Sequence, residues 1–141
     1  MEDIDVKVLM LDDNQILFVL EKEKLITKPN GETFPKPSKW GMSGGRGEPQ
    51  DKDEIAVAER EVLHEIGIFP EVNSRIRVER RQKDYLKVAF IGYPTPGTIK
   101  IDPDEILDAQ WFPCKIIYDK NFDIYGIQRG MAQELLRKLR K

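Results

Sequence analysis

Three side chains near the middle of the chain are spaced for metal chemistry. Glu61 and Glu65 stand four apart with His64 between them, so on a helix all three project from one side. Carboxylates at that spacing repel by about 0.2–0.5 kcal/mol. Placed in the last turns of a helix, each adds roughly 0.3–1 kcal/mol against the dipole. Ile68 and Phe69 follow, so no Lys or Arg relieves them there. A bound divalent cation reverses both penalties, because hard oxygens on one face are what magnesium or manganese takes. For an isolated Glu pair, a solvated acidic face that tolerates a small cost is the plainer explanation. The surroundings decide.

Those surroundings run from Trp40 to Ile68, a glycine-rich loop feeding a helix that ends at Gly67. Asp51, Asp53 and Glu54 sit where helix starts prefer carboxylates. Ile55, Ala58, Val62 and Ile66 recur at steps of three and four and give one apolar stripe for a core. Gly67 occupies the place of a left-handed C-cap residue.

Gly44-Gly45, followed by Arg60-Glu61-Val62-Leu63-His64-Glu65-Ile66-Gly67-Ile68, resembles the signature of the Nudix hydrolases. That signature reads Gly, five residues, Glu, seven residues, Arg-Glu, an aliphatic, any residue, Glu-Glu, any residue, Gly, an aliphatic. Its second half is matched except at His64, which replaces the first Glu of the Glu-Glu pair. Its first half is longer by one residue. Counting forward from Gly45 puts Asp51 at the first Glu position, and counting back from Arg60 puts Lys52 there. Glu48 and Glu54 are further candidates, and Ser43 stands where a Pro usually precedes the two glycines.

The resemblance implies metal-dependent hydrolysis of a nucleoside diphosphate linked to another moiety, with Mg2+ or Mn2+ as cofactor. Glu61 and Glu65 would be the primary metal ligands, joined by the carbonyl of Gly44. His64 would be a direct ligand, a neighbour of the metal-bound water, or a bystander. Arg60 would fix a glutamate by a charge-assisted hydrogen bond. Gly44, Gly45, Arg46 and Lys39 would meet the phosphates. Family members often carry a Glu six residues before a late-strand Trp, which makes Glu105, six before Trp111, a candidate metal ligand or general base. Asp104 competes for that role. A Nudix-fold binding or regulatory module that has lost catalysis is the alternative, favoured by the longer loop, Ser43 and His64.

Composition narrows the setting. With 141 residues the chain is expected to form one domain over 1–141. Lys plus Arg total 23 against 25 for Asp plus Glu, a formal net charge of -2, which argues against nucleic-acid binding by bulk electrostatics. Cys114 is the only cysteine, so no internal disulfide forms and a reducing compartment fits. No signal peptide or apolar span of some 18 residues is visible. A soluble cytoplasmic protein, monomeric or homodimeric, with a small-molecule nucleotide substrate and no membrane partner, is the expectation.

The remaining segments supply the scaffold. Asp5–Leu11 and Ile16–Leu20, separated by the turn cluster Asp12-Asp13-Asn14-Gln15, read as a β-hairpin. Residues Thr27–Lys39 hold three prolines and a glycine and read as a loop, with Lys28, Lys36 and Lys39 near the glycines. Trp40 reads as core or pocket wall. Arg75–Glu79 and Leu86–Tyr93 read as strands, the second nearly all apolar and hence central. Ala109–Phe112 suggests a short strand behind an acidic loop. Ile127, Met131, Leu135 and Leu139 mark a second amphipathic helix, whose basic end suits the helix dipole. A mixed sheet between helices follows, an α/β fold that agrees with the Nudix α/β/α sandwich.

Overall fold

The computed structural model describes residues 3–28 and 30–141. β1 (Ile4–Asp12) and β2 (Gln15–Glu21) form the expected hairpin, turning at Asp13 and paired over Met10–Asp12 and Gln15–Leu17. Beyond that stretch the two strands diverge. β5 (Trp40–Gly41) pairs with the far half of β2, and β6 (Ser43–Arg46) pairs with the near half of β1, from Asp5 to Val8. The segment Trp40–Arg46 therefore fills the fork between β1 and β2, and the stretch read as a glycine-rich loop is a strand. Its short glycine residues obscure the strand pattern, while its pairing with β1 satisfies the backbone.

On its other edge β1 runs parallel to β8 (Leu86–Pro94), which pairs antiparallel with β7 (Pro70–Arg81). β9 (Ile106–Pro113) lies antiparallel along the outer edge of β2. β3 (Lys24–Thr27) and β4 (Thr33–Lys36) form a separate two-stranded hairpin, whose second strand lies within the Thr27–Lys39 segment expected to be a loop. Pro35 is accommodated because such a ribbon is all edge.

Strand alternation assigns the two faces. Val6, Val8 and Met10 pack with Val57, Ala58, Val62 and Ile66 of α1 (Glu54–Ile66). Leu9, Leu11, Ile16 and Phe18 pack with Met131, Ala132, Leu135 and Leu136 of α2 (Gly126–Leu139). One helix covers each face, giving the α/β/α sandwich. Trp40 stacks edge-on against Phe112, with ring centroids 5.0 Å apart, at the margin of the second core. Ile127 departs from its expected core position and is 45% exposed. The helix is rotated to bury Gln128, whose Oε1 accepts a 2.6 Å hydrogen bond from the Met42 N–H. No helix among the described residues is long and apolar enough to cross a membrane.

Candidate active site

The site lies where β1 and β2 part. α1 is fixed at its start by Asp53, which accepts from the Ala56 N–H at 2.8 Å, and at its end by Gly67 in the left-handed conformation. Between those caps Glu65 is only 4% exposed. Its Oε1 accepts from Ser43 Oγ at 2.7 Å and from the Gly44 N–H at 3.3 Å. Burial pushes its carboxyl up to about 7, a desolvation larger than the opposing pull of Lys7 and Ser43.

The glycines are required by close approach. Gly44 has φ 151°, and a Cβ there would overlap the Val6 carbonyl oxygen. A Cβ on Gly45 would overlap Glu61 Oε2. The helix carboxylates thus press against a strand without side chains at these two positions.

Arg60 organises the other flank. Its Nε and Nη2 donate to the two oxygens of Asp51 at 3.0 and 2.7 Å, its Nη1 donates to Glu61 Oε1 at 2.6 Å, and Nη2 also reaches the Arg46 carbonyl at 3.0 Å. Asp51 is the acid that meets this guanidinium in a fork, with Glu48 Oε1 3.5 Å from Nη1. Glu54 turns away to a pair of 2.7 Å hydrogen bonds with Arg77. Of the residues weighed for the first acidic position, Lys52 has no carboxylate and Glu54 is engaged elsewhere. The Arg60 pair holds the Asp51 carboxyl below its usual range.

Glu61, Glu65, Gly44, Gly45, Arg46 and Glu105 line one cavity of about 480 Å³. Asp104 lines it too, so cavity position does not separate the two late acids. Lys7, Glu21 and Lys36 are also among the residues of its wall. Lys7 and Glu21 are residues the sequence reading passed over, each looking like a polar member of a strand. Lys7 is buried, and burial alone would depress its ammonium. The surrounding carboxylates of Asp5, Glu21, Glu65 and Glu61 hold it above the lysine range instead. It supplies the cation that residues 68 and 69 lack. Glu21 is 8% exposed, and its Oε2 has no hydrogen-bond partner among the described residues.

Two expected members lie elsewhere. Lys39 does not line this cavity; its Nζ is 3.4 Å from Asp123. His64 does not line it either, and its Nε2 sits 3.0 Å from Asp102 Oδ2. The expectation that His64 shares a side with both glutamates fails on helical geometry. One residue turns the helix by roughly 100°, so His64 leaves the face of Glu65 and points toward the late loop. There His64, Asp102 and Glu105 bring one ligand atom each within 4.8 Å of one another.

The family model for the NUDIX domain matches residues 1–134. This chain belongs to the Nudix family. It is similar to 8-oxo-dGDP phosphatase NUDT18 of Mus musculus, 32% identical over 77 residues, which are 52% of this chain and 24% of that protein. Putative nudix hydrolase 1 of Caenorhabditis elegans is 28% identical over 116 residues, 82% of this chain and 29% of that protein. The Nudix chain described here thus spans about a quarter of the length of these curated relatives. A hydrolase of the NUDIX family from Clostridium perfringens shares the fold, with a TM-score of 0.72, 14% identity and 99% of each chain covered.

Proposed function

We propose that this Nudix domain is a metal-dependent pyrophosphohydrolase that releases a nucleotide from a nucleoside diphosphate joined to another moiety. The observation that carries this is the convergence of Glu61, Glu65 and the Gly44-Gly45 backbone on one cavity walled by Lys7, Lys36 and Arg46. The donors are hard oxygens in or beside a buried site, where Glu21, 3.6 Å from Lys36 Nζ through Oε1, keeps an Oε2 with no hydrogen-bond partner among the described residues. That set fits magnesium or manganese, held by Glu61, Glu65 and the Gly44 carbonyl. When bound, the ion neutralises phosphate oxygens and acidifies a water for attack on phosphorus.

The chain's own residues do the positioning. Arg60 fixes the Glu61 carboxylate, while Ser43 and the Gly44 N–H fix Glu65. Arg46 and Lys36 offer cations to the diphosphate, and bare glycine backbone lets it come close. Glu105, which lines the same cavity, is the candidate to accept the proton of the attacking water. A nucleotide-binding module without turnover is the second reading, favoured by the direction His64 takes.

Both are tested by metal-dependent formation of the cleaved nucleotide, separated chromatographically, over a panel including nucleoside di- and triphosphates, 8-oxo-dGDP, nucleotide sugars and dinucleoside polyphosphates. Hydrolysis of at least one class, lost in chelator and lowered about a hundredfold or more in Glu61→Gln and Glu65→Gln, is expected. No hydrolysis with either metal, or near-wild-type turnover in both variants, overturns the enzyme.

A further inference from the structure

Lys7 enters the catalytic cavity from the sheet. It pairs with Gly44 where β1 meets β6, and the Gly44 N–H donates to Glu65 Oε1 at 3.3 Å. A Cβ on Gly44 would lie 2.8 Å from Lys7 Cα, so the bare strand is what lets the two backbones close up here. The Lys7 side chain then lines the same cavity as Glu61 and Glu65.

Its ammonium is buried without being paired. Lys7 is 5% exposed, yet the closest carboxylate oxygen among the described residues, Asp5 Oδ1, is 3.9 Å away. That is beyond hydrogen-bond reach. The other oxygen of Asp5 is held by Lys87 Nζ at 2.8 Å. Glu21, on the same wall, keeps an Oε2 with no hydrogen-bond partner among the described residues and does not close on Lys7. A charge taken out of water costs heavily unless it is paired and hydrogen-bonded. A lysine that served only to balance these acids would close on one of them. Lys7 instead has three N–H donors, none of which meets an acceptor among the described residues.

The other cations of the wall differ. Lys22 and Lys36 are half-buried, whereas Lys24 and Arg46 are exposed. Lys36 Nζ is 3.6 Å from Glu21, and the Arg46 guanidinium lies 3.7 Å from the Tyr85 ring centroid. Among these wall cations only Lys7 is buried. A compact ammonium with free donors suits a phosphate oxygen.

We propose that Lys7 is a further catalytic residue, whose ammonium donates to an oxygen of the substrate diphosphate from the sheet side of the cavity. The proposal deepens the hydrolase reading and rests on it for the presence of a diphosphate. Glu61 and Glu65 address that diphosphate through a cation, whereas Lys7 meets it directly. As the oxygen of water bonds to phosphorus, the bridging P–O bond breaks and its electron pair stays on the departing phosphate. The proton of the water passes to a carboxylate base. Lys7 keeps its own proton and acts by charge alone.

The test is calorimetric binding of imidodiphosphate, whose P–N–P bridge resists hydrolysis, to the full chain at saturating Mn2+. It is run on wild type, Lys7→Met and Lys7→Gln, with thermal melts to check that each variant folds. Both variants are expected to bind imidodiphosphate about tenfold or more weakly, the scale of a charged hydrogen bond lost. The deficit should persist as salt is raised, because a buried contact is little screened. Imidodiphosphate bound as tightly by the variants as by wild type overturns the proposal, and tighter binding of Mn2+ alone would then mark Lys7 as a counter-ion. If neither variant folds, a crystal structure of wild type with Mn2+ and imidodiphosphate decides. A ligand oxygen within hydrogen-bond distance of Lys7 Nζ is expected, and a ligand that leaves Lys7 untouched overturns the assignment. Weakened binding in the variants of a protein with no turnover sustains Lys7 and sinks the hydrolase. Turnover with unchanged binding in the variants does the reverse.

Discussion

Asp51 closes a two-pronged ion pair on Arg60, and the remaining arm of the same guanidinium holds Glu61 at 2.6 Å. The glutamate is therefore oriented from a loop nine residues upstream of the arginine. Asp51→Asn should lower kcat about tenfold or more while the fold melts lower by roughly 1–3 kcal/mol, the scale of a charged hydrogen bond lost. Arg60→Lys should act likewise, because an ammonium cannot reproduce the fork. If Asp51→Asn retains wild-type kcat and metal requirement, Asp51 does not position Glu61.

Glu65 is a buried carboxylate held by Ser43 and the Gly44 N–H. Glutamine can keep an oxygen for both donors and removes the buried charge. Glu65→Gln should thus melt at or above wild type in chelator, yet gain less than wild type from excess magnesium. Thermal scans of both proteins in the two buffers provide the check. Equal magnesium-induced shifts would locate the cation away from Glu65.

Glu105 and Asp104 both reach the cavity, but Glu105 also joins His64 and Asp102. Glu105→Gln should reduce kcat more than KM, with Asp104→Asn having the smaller effect. The reverse ranking in steady-state kinetics would transfer the role to Asp104.

With its ring against Asp102, His64 should contribute little to the central cation. His64→Ala is expected to stay within about threefold of wild type in kcat, with an unchanged magnesium optimum. His64→Glu places a carboxylate beside Asp102 and tests whether the site merely lacks charge. A magnesium titration shifted to lower concentration in His64→Glu would show that it does. A manganese preference abolished in either variant would instead make His64 a ligand.

Acid should weaken the base of the site through Asp5. Burial alone would raise its carboxyl, but Lys7 and Lys87 overcome this and hold it down to about 2, against an ordinary value of 3.8. Its pairing therefore stabilises the fold fully above pH 3.8 and is lost as pH falls from there through 2, on the order of 2 kcal/mol in all. Denaturant unfolding between pH 4 and 2 should show a shallower pH slope in Asp5→Asn than in wild type. That variant should also be less stable at neutral pH, since it removes the carboxylate 2.8 Å from the buried Lys87 ammonium and one of those around Lys7.

The local chemistry of this domain was legible along the chain. Asp53 and Gly67 bracket α1 because a capping oxygen and a left-handed residue act over one turn, and both signals are contiguous in sequence. The apolar steps through Val62 and Ile66 name the buried face for the same reason, and Glu61 and Glu65 follow as its polar edge. The Thr33–Lys36 strand was hidden because Pro35 and the flanking proline and polar residues imitate a loop, and only pairing with Lys24–Thr27 makes it a hairpin. Choice among partners was beyond reach of the sequence. Asp51, Lys52, Glu48 and Glu54 are near neighbours along the chain, and what separates Asp51 from Glu54 is that Arg60 folds toward one and Arg77, more than twenty residues away, captures the other. Lys7 and Glu21 look like ordinary strand residues until β1 and β2 diverge and turn both into the cavity. His64 differs from Glu65 by a single helical step, and the late loop bearing Asp102 gives that step its consequence. Helix periodicity and caps depend on a few consecutive residues, whereas ion-pair choice and cavity walls depend on which distant segments the sheet brings together.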